Sequence, residues 1–332
     1  MNGGELSAMY RVFGEVDLGN PSHHLRLAGH CLRVHTRDDR SARLIEDRFG
    51  HLVVEASDEM PQLNLRVSTV DLPRLKLEPG VHCLPGGGVA TIDDGQQVQI
   101  YRPGFGFELG VSPAGWSDVE LTSYPLATAI ASWAVDSALL PVHAAALEID
   151  GRGVLLVGES GAGKSTTAVA CALEGAGLLG DDLCLIDAER RIIHSWYGTV
   201  KLHDDSAELL GARSWDRLGL NPMGKSVVAV SRIDALRLTP SAPLDLVVVL
   251  RPQKGIVESA DAPEMGLSNE LSGPRAVAAL RSTALPVPNG VAAWLQHTTK
   301  IARTVRVVEL AVDRPPRAMA EVIAAMADSA SA

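Results

Sequence analysis

Residues 158–165 read Gly-Glu-Ser-Gly-Ala-Gly-Lys-Ser and match the spacing G-x-x-x-x-G-K-[S/T] in full. Gly158, Gly161 and Gly163, with Glu159, Ser160 and Ala162 between them, let backbone N–H groups curl round a phosphate. The helix that should follow contributes roughly half a positive charge at its N-terminus. Lys164 adds a mobile full charge for the β- and γ-phosphates, Ser165 supplies a hydroxyl for Mg²⁺, and Thr166 completes the binding segment. The pattern predicts a bound nucleotide. By itself it names no reaction.

The reaction depends on where the acids lie. In most P-loop NTPases an apolar strand ends in an Asp that supports Mg²⁺. The best such strand here, Leu-Asp-Leu-Val-Val-Val-Leu at 244–250, runs instead into Arg251 and Pro252. Gly-Leu-Leu-Gly at 177–180 leads into Asp181 and Asp182, directly after the expected P-loop helix. Strand alternation predicts that these neighbours face opposite ways. One would then support the metal while the other accepts a proton from an attacking hydroxyl. A transporter-ATPase reading fails: Leu-Ser-Gly-Pro-Arg at 271–275 faintly echoes a signature loop, but no apolar strand ending in Asp-Glu follows it.

The elements that must hold these groups are legible nearby. Val-Leu-Leu-Val at 154–157 is an unbroken apolar run, suited to a central strand covered on both faces. A strand at 144–150 and a turn at 151–153 precede it, and a helix over 165–173, stopped by Gly175, follows the loop. Leu126, Ile130, Trp133 and Val135 predict one amphipathic helix over 125–140. From Pro274 onward the pattern gives two helices, a strand at 306–310, and a closing helix after Pro315 and Pro316. The first part alternates short strands, at 31–35 and 63–67 and in a hairpin turning on Asp94-Gly95 into 97–101. Gly86 to Gly88 and the segment 102–106 read as turns. A Pro/Gly/Ser-containing connector at 112–124 marks the expected boundary. The fold class is α/β: a small β-rich domain over 1–120, of unassigned role, and a P-loop catalytic domain over 124–332.

Composition excludes several classes. The chain has 332 residues, 46% hydrophobic and 21% charged, as a globular protein does. With 40 acids against 30 bases, a net charge of -10 leaves no basic footprint for nucleic acid or anionic lipid. The four cysteines, Cys31, Cys83, Cys171 and Cys184, form no C-x-x-C pair, against a zinc knuckle or disulfide scaffold and in favour of a reducing cytoplasm. Residues 1–10 lack the basic and apolar regions of a secretory signal. The apolar run 126–135 is too short to span a membrane and is closed by Asp136. His30 and His35 lie on opposite faces of a strand pattern, which does not make a zinc pair.

His143, a hairpin, the Gly-x-Ser-Gly-x-Gly-Lys-Ser loop, a short helix and a Gly-Asp-Asp strand end together resemble the bacterial kinase/phosphorylase that modifies a serine on the phosphocarrier protein HPr, and its HPr-kinase-related relatives. The resemblance spans 124–210; the N-terminal half is similar to the small β-rich domain of related kinases, including those acting on lasso peptides. It implies that Lys164 and Ser165 hold phosphates and Mg²⁺, that Asp181 and Asp182 divide base and metal duties, and that His143 sits beside the transferred phosphate. Ser165 with Asp182 is the expected metal set, the division between the two acids being open. ATP as the nucleotide and a homo-oligomeric state are also implied. Lys201, in Val-Lys-Leu at 200–202, resembles a basic-Leu segment of those kinases, yet Lys201 and Lys225 are read as solvated. No counterpart of their Glu-Ile-Arg-Gly-Leu-Gly-like signature follows the acids, which counts against HPr as substrate and against phosphorolysis. The expectation is a Mg²⁺-dependent kinase moving the γ-phosphoryl of ATP to a serine-type hydroxyl of a peptide, protein or small molecule. The alternatives are a nucleotide-sensing regulatory module and a plain ATPase.

Overall fold

The computed structural model describes residues 20–55, 63–70, 79–93, 96–116, 124–252, 269–285, 287 and 290–330. Residues 1–10, the Asp94-Gly95 turn, and Pro288 and Asn289 of the C-terminal turn lie outside them. Two compact units divide the chain, Met1–Ser137 and Ala138–Ala332. No helix among the described residues is long and apolar enough to cross a membrane.

The N-terminal unit is built on an eight-stranded sheet. At its centre His30–Thr36, Leu63–Thr69 and Gly106–Val111 run parallel, and the remaining pairs are antiparallel. The parallel step from His30–Thr36 to Leu63–Thr69 needs a crossover, and helix Asp39–Phe49 lies within it. Asp38 caps that helix by accepting from Ser41 N at 2.8 Å, and it also accepts from Thr69 N at 3.1 Å, pinning the helix start to the strand. Helix Ala127–Asp136 belongs to this unit. Its Trp133 meets His30 and Phe107 edge-on, with ring centroids 5.1 and 5.9 Å apart, and Tyr101 Oη donates to Asp136 at 3.0 Å. The division thus falls after this helix and not in the 112–124 connector, and the helix is shorter than its apolar pattern suggested.

In the second unit, strands β1 (Ala145–Ile149) and β2 (Arg152–Val157) form a hairpin. Its turn residues are Asp150 and Gly151, both at positive φ (49° and 81°), one step earlier than the 151–153 reading. Helix α1 (Lys164–Leu173) and strand β3 (Gly177–Gly180) follow, with β3 antiparallel to β1. Next come β4 (Thr199–Leu202), paired with β5 (Ser226–Ala229) in a small separate sheet, and the long strand β6 (Ser241–Pro252). Helices α2 (Gly273–Leu280) and α3 (Val291–Thr304), strand β7 (Arg306–Val312) and helix α4 (Pro316–Ser329) complete it.

Strands β2, β6 and β7 are parallel neighbours, so their C-terminal ends share one edge. Both faces of this sheet are covered, which is why β2 is apolar without a break. Val154 and Leu156 pack into the core with Ala168 of α1 and Ile323 of α4. Leu155 and Val157 face the opposite core, with Ala276 of α2 and Ile301 of α3. The loop 158–163 leaves β2 at the shared edge, where open α/β sheets bind their ligands.

Candidate active site

The loop is shaped by close approach. A Cβ on Gly158 would stand 2.8 Å from Leu250 O of β6, so only glycine lets the loop leave β2 against that strand. Gly163 sits at φ 86° as the N-cap of α1, a conformation that aims the first helical N–H groups into the loop. Lys164 is buried and reaches back, its Nζ donating to Gly158 O at 2.9 Å and Glu159 O at 3.1 Å. Glu159, Ser160 and Gly161 are exposed, Ala162 is buried, and Ser165 and Thr166 are half-buried. Thr166 donates its hydroxyl to Ser206 at 3.0 Å, tying α1 to the helix Asp204–Leu209.

Both aspartates lie just past the end of β3 and both are buried. Alternation does not separate them, because the strand stops at Gly180 and Asp182 adopts a left-handed backbone at φ 68°. A non-glycine residue held there is uncommon, and here it turns two sequential carboxylates toward one corner. Asp181 Oδ2 accepts from the backbone N–H of Lys201 at 2.8 Å, while Lys201 Nζ stands 2.6 Å from Asp182 Oδ2. One residue of β4 therefore holds both acids, one by its main chain and one by its side chain. Lys201 is buried and ion-paired, which corrects its reading as a solvated surface lysine. The sequence signal was there, a lysine between Val200 and Leu202; its ion-pair partner Asp182, 19 positions earlier, was not visible.

His143 joins this corner. Its Nε2 lies 3.3 Å from Asp182 Oδ1, and the ring is about a third exposed. The main chain fixes the approach: Ala144 N donates to Asp182 O at 3.0 Å and His143 N to Thr283 O at 2.9 Å. Cys184, fully buried, donates its thiol to Ala144 O at 3.6 Å. Burial, with Asp181 and Asp182 behind it, pushes that thiol's pKa far up, so it packs and takes no nucleophilic part.

Electrostatics mark Asp181 as the strained member. Burial, then the neighbouring Asp182 charge, raise its pKa to about 6, against hydrogen bonds from Lys201 N–H and the Ser165 side chain. Its Oδ1 is buried and accepts no hydrogen bond among the described residues. Burial likewise pushes the Lys164 ammonium's pKa down, opposed by Asp182 and Asp181 and reinforced by Lys225. Lys164, Asp181, Asp182, Ser165, His143 and Lys201 thus form one cluster in which both carboxylates act on the loop lysine.

No family model matches the chain, and no curated protein does. Among solved structures it is similar to the Hpr(Ser) kinase/phosphatase from Coxiella burnetii, at 14% identity over 58% of this chain and 99% of that one, with a TM-score of 0.33. At that score the likeness is distant, and the functional reading stands on the geometry.

Proposed function

We propose that this chain is a Mg²⁺-dependent kinase that binds ATP on residues 158–166 and transfers its γ-phosphoryl group to a serine-type hydroxyl of a peptide, protein or small molecule. The observation that carries the reading is the buried corner in which Lys201 and His143 gather Asp181 and Asp182, at the strand edge from which the loop bearing Lys164 springs.

Magnesium fits the residues present. It takes hard oxygen ligands and is held by one or two carboxylates together with substrate phosphates. Among the described residues no group of three or more His, Cys, Asp or Glu side chains could hold a metal ion by itself. The orphaned Asp181 Oδ1, beside Ser165, favours Asp181 over Asp182 as the partner of Ser165 in holding the ion. When bound, the ion neutralises charge on the β- and γ-phosphates.

The chain's own groups do the rest. The transition state of phosphoryl transfer is loose and spreads charge over the equatorial oxygens, so positioned cations and amides supply most of the stabilisation. Lys164 exchanges its two loop carbonyls for phosphate oxygens, and the N–H groups at the start of α1 face the same charge. Asp182, anchored through Oδ2 by Lys201, presents Oδ1 on the His143 side, where it orients the acceptor hydroxyl and takes its proton. His143 steadies that carboxylate from the more open side.

Incubation with γ-labelled ATP, Mg²⁺ and the products of neighbouring genes tests the proposal. Label in an acceptor supports it. Free phosphate without any acceptor would point to a plain ATPase, and tight nucleotide binding with neither product would point to a sensor.

A further inference from the structure

A cavity of about 630 Å³ opens beside the phosphate loop, and apart from Gly158 and Glu159 its lining residues take no part in the chemistry above. Gly158 and Glu159 of the loop form one wall, Arg251 and Glu309 from β6 and β7 another, and Arg275 of α2 with Arg281 just after that helix a third. Three arginines from two parts of the chain, β6 and the α2 segment, therefore line one concave space. Arg251 is engaged, its Nε 3.2 Å from Glu309. Arg275 and Arg281 are exposed and make no ion pair with any described residue. A guanidinium presents a planar fork of donors that matches carboxylate and phosphate oxygens. Isolated exposed arginines are ordinary surface; two that share a cavity with the phosphate loop are placed to grip an anion.

The position says which ligand brings it. The Lys164 ammonium, the group that meets the β- and γ-phosphates, lies against Gly158 O and Glu159 O. The terminal phosphoryl group thus comes to the end of the loop that walls the cavity, so the cavity opens on the group to be transferred and not on the nucleoside. A negatively charged acceptor approaching a triphosphate also needs local cations to offset the repulsion.

We infer that this cavity seats the phosphoryl acceptor and that the acceptor carries an anionic group, a carboxylate or a phosphate, held by Arg275 and Arg281. The inference rests on the phosphoryl-transfer reading. In the step it serves, the acceptor's hydroxyl oxygen forms the new bond to the γ-phosphorus. The bond from that phosphorus to the β–γ bridging oxygen breaks, ADP leaves with its electron pair, and the hydroxyl proton passes to Asp182.

The test uses the full chain saturated with Mg·ADP and titrated by calorimetry with glycerol, glycerate and glycerol 3-phosphate, which share hydroxyls and differ in the anionic group. At least one acid should bind about tenfold or more tighter than glycerol, and which acid does so separates carboxylate from phosphate. The Arg275→Gln/Arg281→Gln protein should lose that preference while its affinity for Mg·ADP stays unchanged. Acids that bind no better than glycerol, or a preference that survives in the double variant, would overturn the inference and leave the kinase proposal standing. Failure of the wild type to bind Mg·ADP at all would remove the phosphoryl-transfer reading, and the acceptor assignment with it.

Discussion

Each unit buries acid beside base, and the two do so differently. In the N-terminal sheet Glu108 sits directly opposite Arg66 in a parallel pair of strands, and each of its oxygens meets its own guanidinium: Arg66 at 3.0 Å and Arg102 at 2.6 Å. The Phe105 ring lies 4.0 Å from the Arg102 guanidinium. In the second unit two acids share Lys201 and one carboxylate oxygen of Asp181 accepts nothing among the described residues; burial raises the pKa of Glu108 and of Asp181 alike, the latter to about 6. Glu108 Oε1 makes no hydrogen bond among the described residues, yet it stands in ion-pair contact with Arg66, so each oxygen of Glu108 has a cation beside it and the cluster reads as scaffold. Asp181 Oδ1 has neither a hydrogen bond nor an ion pair among the described residues, which on the proposed reading leaves it for an arriving ligand.

Exchanging single acids for their amides breaks this contrast most directly. Asp182→Asn should lower the turnover of phosphoryl transfer by roughly 10²–10⁴-fold while leaving ATP affinity nearly intact, read from acceptor-labelling rates and nucleotide titration. Turnover close to wild type in that variant would remove Asp182 as the base. Glu108→Gln should do the reverse. It leaves the buried Arg66 guanidinium, and the half-buried one of Arg102, uncompensated, and chemical unfolding should report a loss of about 3 kcal/mol with nucleotide affinity unaltered.

A smaller effect has the opposite sign. Asp181→Asn removes a charge that burial disfavours, so without ligands the variant should be more stable than wild type near neutral pH, by at most about 3 kcal/mol. It should also lose the extra melting temperature that Mg²⁺ with ATP confers on wild type. A variant less stable than wild type would mean that the Asp181 carboxylate is structural after all.

The pH course of that difference sharpens it further. Asp181 has a raised folded pKa, so the folded state keeps its proton where the unfolded chain has lost it. Its contribution is intact below about pH 3.8 and is lost as pH rises toward 6. The advantage of Asp181→Asn over wild type should accordingly be absent near pH 4, grow through that window and level off above it. Taking the difference between the two proteins cancels Asp38, Glu148 and Asp187, whose lowered pKa values act in the opposite direction. A flat difference curve would contradict the assigned burial.

What could be read in advance follows from the range of the forces. The loop, its strand and its helix were legible because glycine conformations, a helix start and an unbroken apolar run are local properties. The order from α2 to α4 was legible for the same reason, through its prolines and helical spacing. The joint orientation of Asp181 and Asp182 was not, because it turns on one left-handed residue that is not glycine. Neither was the burial of Lys201, which depends on partners 19 and 20 positions earlier. The unit boundary was misplaced because a Pro/Gly/Ser-rich stretch resembles a linker, whereas Trp133 finds its packing partners back in the first sheet.

Lys201 also constrains how this corner can change over evolution. Its amide serves one acid and its ammonium the other, so a substitution that spares the main chain can untether Asp182 alone, while a one-step slip of β4 along β5 would displace both supports together. On the proposed reading, then, a side-chain change at Lys201 would disturb proton acceptance and spare metal holding, and only a shift of the strand would disturb both.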